Sequence, residues 1–312
     1  MLFHIKHATR YRYSRPVFCE PMTIRLRPRE DVAQRLVRYN LWIDPEPAGM
    51  SHFVDLDGST ATQIWFDKLV TSLSIVVSSS VETLRTNPFD FLLDPVALRL
   101  PMVYPTPVHH GLLPYLELTQ PAPGLAVDTC CGQRARDPEF AETLDRLLRI
   151  TGAQTVPFLT ELTQWIHSSF DRITREEGAA MHPSETLRTR RGSCRDLTVL
   201  FNELCREVGL ASRFVSGYHE REGLDGRRHL HAWSEVYLPG AGWRGYDPMA
   251  GLAVADRHVA LSSGAEPILA APTYGTFRGT GASSEMETQL VIRTTDAESA
   301  AEAEVLLGSK AR

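Results

Sequence analysis

The sequence is short of several features that would decide its class at once. No window approaches the run of roughly 20 apolar residues that spans a bilayer. The opening stretch, Met1-Leu2-Phe3-His4-Ile5-Lys6-His7, alternates apolar and polar residues where a secretory signal would be continuously apolar. The expectation is a cytoplasmic protein with no membrane partner. Cysteine is scarce and odd in number, five in 312 residues with no regular spacing, which is no disulfide framework and fits a reducing compartment. No like-charge block, internal repeat or low-complexity segment occurs, and a net charge of -5 supplies no basic surplus for neutralising phosphates. That argues against a nucleic-acid partner.

What remains is ordinary globular material, 43% hydrophobic and 23% charged, enough for one large domain or two ordinary ones. Short strands crowd the first part: Phe3 and Ile5, Tyr11 and Tyr13, Thr23 to Leu26, Leu36 to Ile43, Phe53 to Leu56, Ile64 to Phe66, Leu69 to Val77. Turn clusters at Arg15-Pro16, Pro28 to Asp31, Asp44 to Pro47 and Asp57-Gly58 separate them, and this rhythm suggests a β-sandwich over 1–86. Prolines at 88, 101, 105, 107, 114, 121 and 123 mark 87–127 as a connector, since proline opposes helix interiors and central strands alike. Helical signals follow, opened by Asp137-Pro138, by Pro157 and by Pro183-Ser184. A core over 128–293 closes with a β pattern at Met286, Thr288, Leu290 and Ile292, and 294–312 reads as a tail with a frayed amphipathic helix at 296–307. The fold class is α+β.

The chemistry is concentrated between Arg191 and Asp247. A Gly192-Ser193-Cys194 turn leads straight into Leu197, Leu200, Phe201, Leu204 and Val208, one apolar face at helical period. Cys194 thus opens a helix, where unpaired N–H groups and the positive end of the dipole favour a thiolate. His231 lies in His229-Leu230-His231-Ala232-Trp233, and Asp247 in Trp243-Arg244-Gly245-Tyr246-Asp247-Pro248. Strands over Arg213–Tyr218 and Leu230–Leu238, broken by glycine turns, would form an antiparallel sheet on the helix. In it His231 and Asp247 can be cross-strand neighbours. A cysteine, a histidine and an acid in this order are the parts of a thiol-nucleophile triad.

These residues resemble a known family. Gly192-x-Cys194-x-Asp196, Arg213-x-Val215-Ser216-Gly217-Tyr218, His231-Ala232-Trp233-x-Glu235-Val236-Tyr237, Gly242-Trp243 and Asp247-Pro248 are similar to the core of the transglutaminase-like cysteine enzymes. His7-x-Thr9-x-Tyr11-x-Tyr13, Pro16-Val17 and Arg25-Leu26-Arg27-Pro28-Arg29 resemble the β-rich N-terminal domain of that superfamily's bacterial branch. The resemblance implies a papain-like core whose nucleophile-bearing helix packs on an antiparallel sheet, with Cys194 as nucleophile, His231 as base and Asp247 orienting the imidazole. It also implies acyl transfer on amide or peptide bonds through a thioester, a peptide or protein substrate, and no cofactor or metal. Met249 and Arg195 depart from the family pattern, at positions outside the triad.

Each candidate has a plainer reading. Asp196 can serve as an N-terminal complement to its helix, and Cys205, about 16 Å along the same helix at about 1.5 Å per residue, as core. Cys130-Cys131 has no second pair or histidine motif to complete a metal site. His229 can exchange roles with His231 if the strand register slips, and the two could also be taken as zinc ligands. His109, His110 and His182 read as surface, and Trp165, Trp233 and Trp243 as packing. Water or an amine as acceptor separates peptidase or amidase from transglutaminase, and a non-catalytic peptide-binding module on the same fold is the reading from another class. Oligomeric state stays open.

Overall fold

The computed structural model describes residues 1–119, 138–175, 178–223 and 225–295. The vicinal pair Cys130-Cys131 and the helix expected in the tail lie outside them.

Strand follows strand at the start: β1 (Leu2–Cys19), β2 (Met22–Ile24), β3 (Gln34–Asp44), β4 (Gly49–Val54), β5 (Thr60–Trp65) and β6 (Val70–Thr83). β6 lies between β1 and β3, and β5 between β2 and β4, all antiparallel. The two-residue period turns Phe3 and Ile5 of β1 and Leu73, Ile75, Val77 and Val81 of β6 to one side, where they meet Ile24 and Ile64 of the second sheet. The expected sandwich is this pair of sheets.

The proline-rich stretch departs from expectation by holding a helix, α1 (Thr106–Leu116). Pro107 stands in its first turn, where a missing N–H costs nothing, and Pro114 stands on an exposed side near its end, where water can take the orphaned carbonyl. Leu112 is the residue it buries. Then come α2 (Pro138–Thr151), α3 (Thr155–Ser169), β7 (Asp171–Arg172), α4 (Pro183–Thr189), β8 (Arg191–Gly192) and α5 (Cys194–Glu207). No helix among the described residues is long and apolar enough to cross a membrane.

β9 (Ser212–His219), β10 (His231–Leu238), β11 (Gly242–Asp247), β12 (Leu252–Ala253) and β13 (His258–Gly264) form the core sheet, antiparallel in the order β12-β11-β10-β9-β13. α5 lies on it: Leu197, Leu200, Phe201 and Leu204 are fully buried in one cluster with Val236, Leu238 and Tyr246. At about 2 kcal/mol for each buried side chain this face fixes the helix, and with it the position of Cys194. Every residue of β9 is buried, as in a strand covered on both faces.

β14 (Thr273–Tyr274), β15 (Phe277–Arg278) and β16 (Ser284–Thr295) then return to the sandwich. β14 joins β2, and β15 and β16 pair with β1, from Leu2↔Thr295 to Tyr13↔Ser284. The strand expected at 286–292 therefore forms, but belongs to the N-terminal sheet and not to the 128–293 core. β6 occupies only one edge of the long β1, and the open edge offers a row of donors and acceptors that β16 completes.

The two halves share their interior. Tyr218, Val259 and Leu261 of the core sheet are buried in the same apolar cluster as Phe3, Ile5 and Leu73. Polar contacts reinforce the seam. Gln34 clasps Ala260, its Nε2 donating to the carbonyl at 2.9 Å and its Oε1 accepting the N–H at 2.7 Å. Arg29 reaches Glu235 of β10 with two hydrogen bonds, at 2.6 and 3.1 Å.

Candidate functional site

Cys194 is the first residue of α5, with Ser193 as N-cap, and is half-buried against Phe214, Ala232 and Ala270. Gly192 keeps the approach tight: a Cβ there would sit 3.0 Å from Asp196 Cβ and 3.2 Å from Leu197. Asp196, in the first turn and fully buried, accepts from the Ser193 N–H at 2.8 Å and hydroxyl at 2.7 Å, from the Arg175 guanidinium at 2.7 Å and from the Met181 N–H at 2.7 Å. It caps the helix and ties the incoming loop to it, and its four donors include no histidine. Cys205 is buried, and burial pushes its thiol well above the ordinary value, as a core position requires.

His231 opens β10, and its Nε2 lies 2.6 Å from Asp247 Oδ2. The register Ser234↔Tyr246 makes His231 and Asp247 diagonal neighbours across β10 and β11, within reach of each other across the strands. The thiol of Cys194, packed against Ala232 of the same strand, lies close enough to this imidazole to favour its protonated form. Burial opposes charge on the His231 ring, but the Asp247 carboxylate, with its hydrogen bond and that of Cys194, outweighs it and holds the ring at about 10. Burial likewise opposes charge on Asp247, and the facing His231 and His258 keep its carboxyl well below the usual range. His229 lies outside the strand and pairs with Asp225 at 2.8 Å, which removes it from contention as the base.

The structure thus brings the three predicted residues together and adds two that the sequence reading missed. His258, at the start of β13, places Nε2 2.9 Å from Asp247 Oδ2, the oxygen that also holds His231. His219, at the end of β9, pairs with His258 across the sheet, their ring centroids 4.5 Å apart. Burial, then the neighbouring His258 and His231, lowers His219 to about 3, and burial lowers His258 as well, so both rings are neutral near pH 7. From Asp247 to the β pattern at Met286 the sequence reads as glycine- and alanine-rich loops, and β13 escapes notice there because it carries Ser262, Ser263 and Gly264 with a bulge between Ala260 and Ser262. Val259 and Leu261 beside His258 were the available signal.

Around the cluster the tryptophans pack. Trp233 lies over Gly217, where a Cβ would come within 2.5 Å of the indole, and its ring meets His258 edge-on at 5.1 Å. Arg146 and Arg190 cover Trp165, and Arg213 covers Trp243. His182 caps α4, and His109 and His110 lie on α1.

Ligand atoms of His219, Asp247 and His258 all lie within 4.8 Å of one another, a spacing a divalent cation could bridge. The carboxylate, however, is fully engaged: Oδ1 accepts the N–H groups of Met249 and Ala250, each at 2.9 Å, while Oδ2 faces the two imidazoles. A cation would have to displace these donors and the His231 contact with them.

A half-buried cysteine at a helix start, joined to a histidine and a buried aspartate on an antiparallel sheet, defines the transglutaminase-like class of core. Residues 149–248 match the model of the transglutaminase-like superfamily, and residues 3–82 that of the bacterial transglutaminase-like N-terminal region. The chain belongs to this superfamily, in its bacterial two-part form. An uncharacterised protein of Mycobacterium leprae is 24% identical over 89% of this chain and 94% of its own length. One of Mycobacterium tuberculosis is 25% identical over 84% and 83%. A candidate cysteine protease from Cytophaga hutchinsonii, 18% identical, has the same fold with a TM-score of 0.64 over 95% of this chain and 92% of that one.

Proposed function

We propose that this protein is a cysteine-dependent acyl-transfer enzyme acting on carboxamide or peptide bonds through a thioester. The observation that supports the reading is an imidazole held by a buried carboxylate, Nε2 to Asp247 at 2.6 Å, beside a helix-opening thiol that favours its protonated form. With Nε2–H donated to the carboxylate and the ring held protonated, the working form is the Cys194 thiolate beside an imidazolium whose Nδ1 carries the second proton. The thiolate attacks the carbonyl carbon, and the C=O electron pair moves onto oxygen. The N–H of Cys194, one of the donors a helix start leaves without an intrahelical partner, faces that developing charge. Collapse of the oxyanion breaks the C–N bond, Nδ1–H protonates the departing amine, and the acyl group stays on sulfur. Water or a second amine then gives its proton to Nδ1, attacks the thioester carbonyl, and releases the thiolate.

The substrate in this reading is a peptide or protein. Hydrolysis and amine transfer share every step but the last, so adding a primary amine during turnover and weighing the products separates them. The test of the reading itself is iodoacetamide labelling near neutral pH with the modified peptides mapped by mass. Cys194 is expected to label ahead of the other four cysteines, and His231→Ala is expected to remove that lead without changing its exposure. Equal labelling of all five, or a His231→Ala chain that labels as fast, points to a peptide-binding module in which the triad is vestigial. Incubation with a library of peptide amides, quenched in acid, should leave an acyl group on Cys194.

A further inference from the structure

We infer that His258 is a positioning residue for the Cys194–His231 pair: from the start of β13 it donates Nε2–H to the Asp247 oxygen that holds His231, and so fixes where that oxygen points. The inference rests on the acyl-transfer reading above and deepens it.

Asp247 is held at one end by its own turn. Oδ1 accepts the N–H groups two and three residues ahead, Met249 and Ala250, contacts that travel with the aspartate and set only one oxygen. The direction of Oδ2 needs an anchor from elsewhere in the fold, and His258 is that anchor, 2.9 Å away and almost fully buried. Its neighbours explain why an imidazole stands there. His231, His219 and Asp247 face it from β10, β9 and β11, with Glu220 just beyond β9. A neutral imidazole directs the carboxylate without adding charge, so the anion remains to support an imidazolium at His231. A lysine or arginine in its place would form its own ion pair with Asp247 and draw that support away.

The tautomer is fixed by the same contact. Donation through Nε2–H leaves Nδ1 as an acceptor, with no hydrogen-bond partner among the described residues. The strand that delivers His258 is in turn clasped by the N-terminal sandwich, through Gln34 on both polar groups of Ala260 and through the Arg29 N–H on its carbonyl at 3.0 Å.

The experiment measures Cys194 alkylation by iodoacetamide against pH in the full chain, for wild type, His258→Gln, His258→Met and His258→Asn. Gln and Met have similar length and volume, but only Gln can donate at the Nε2 position; the Asn amide is too short to reach. An oriented Asp247 supports the thiolate–imidazolium pair, so its loss moves the acidic limb of the profile upward by about one pH unit, about tenfold in rate there, with convergence at alkaline pH where the thiol ionises unaided. Met and Asn should show that shift, and Gln should stay within about threefold of wild type. A Met or Asn profile superimposable on wild type, or a Gln profile displaced as far as Met, overturns the inference. If Met fails to fold, the Gln and Asn pair still decides it. A wild-type Cys194 that alkylates no faster than an ordinary thiol would instead bring down the acyl-transfer reading, which keeps the two failures apart.

Discussion

Removing the guanidinium of Arg29 tests whether the N-terminal sandwich is structurally part of the core or merely attached to it. Glu235 is buried in β10 between Arg29, which comes from the loop after β2, and Arg213 of β9, at 2.6 and 2.8 Å. Burial alone would raise the Glu235 carboxyl, yet Arg29 and then Arg213 bring it down to about 2 from its ordinary 4.5. At about 1.4 kcal/mol per pH unit that difference is worth about 3 kcal/mol, and Arg29 as the nearer cation carries at least half. Arg29→Met leaves Glu235 paired with Arg213, so the expected loss is about 2 kcal/mol. Glu235→Ala leaves two buried cations with only their longer contacts to Asp31 and Asp57, and should cost more, about 3 to 5 kcal/mol. Urea unfolding of both single variants and the double variant closes a cycle whose coupling should come out at about 2 kcal/mol. The sign with pH is that of a depressed carboxyl. The contribution is present above about 4.5 and is lost as pH falls towards about 2. Single losses that simply add, within about 0.5 kcal/mol, would refute the claim that this clamp joins the two halves.

Asp247→Asn is expected to keep the fold and lower turnover by about four orders of magnitude, because an amide cannot hold the imidazolium or its tautomer. Asp196→Asn, by contrast, should cost about 1 to 3 kcal/mol of stability through the lost Arg175 pairing and cap, with a far smaller effect on turnover; a reversal of the two in side-by-side kinetics and melts would exchange their roles. His7 and His219 are buried neutral, lowered by burial to about 4 and about 3, so stability is whole above about 6.5 and is lost as pH falls, by up to about 1.4 kcal/mol per pH unit for each. The thermal midpoint should therefore decline through mildly acidic pH, and a flat profile there would contradict the burial. A chain beginning near Asp128 should aggregate and fail even on small activated esters, since Tyr218, Val259 and Leu261 lose their cover; light scattering and ester turnover that find it monomeric and active would show the sandwich to be dispensable.

How much of this was legible in the sequence depends on how local each cause is. Cys194 at a helix start follows from a turn and a 3.6-residue period within a dozen positions, and Asp196 as a cap from its place in the first turn. Cys194, His231 and Asp247 stood out for the same reason, each lying in a short motif. The diagonal register of His231 and Asp247 was not legible, because register is decided by strand pairing over the whole sheet. His258 was missed because β13 is weak by propensity and becomes a strand only by pairing with β9 on one side and being clasped by Gln34 on the other. β16 was seen as a strand but placed in the wrong half, since an alternating pattern says which face is buried and nothing about which neighbour it joins. The helix in the proline-rich stretch shows the opposite error, a local rule applied without regard to where in the helix the prolines fall.

The pairing of β1 with β16 has a consequence for how the molecule comes into being. Leu2 lies opposite Thr295, so the open edge of β1 stays unclosed until the far-off β16 has been synthesised. In the interval β1 presents a long unpaired edge, while the sandwich interior lacks the Tyr218, Val259 and Leu261 that arrive with the core sheet. Neither half can therefore finish first, and contacts that link residues nearly a whole chain apart are slow to form. Nascent chains of this protein are most exposed to edge-to-edge association late in synthesis, and a holding chaperone would matter most then. The reward comes after release, when the same closure brings the two ends of the described chain into one sheet.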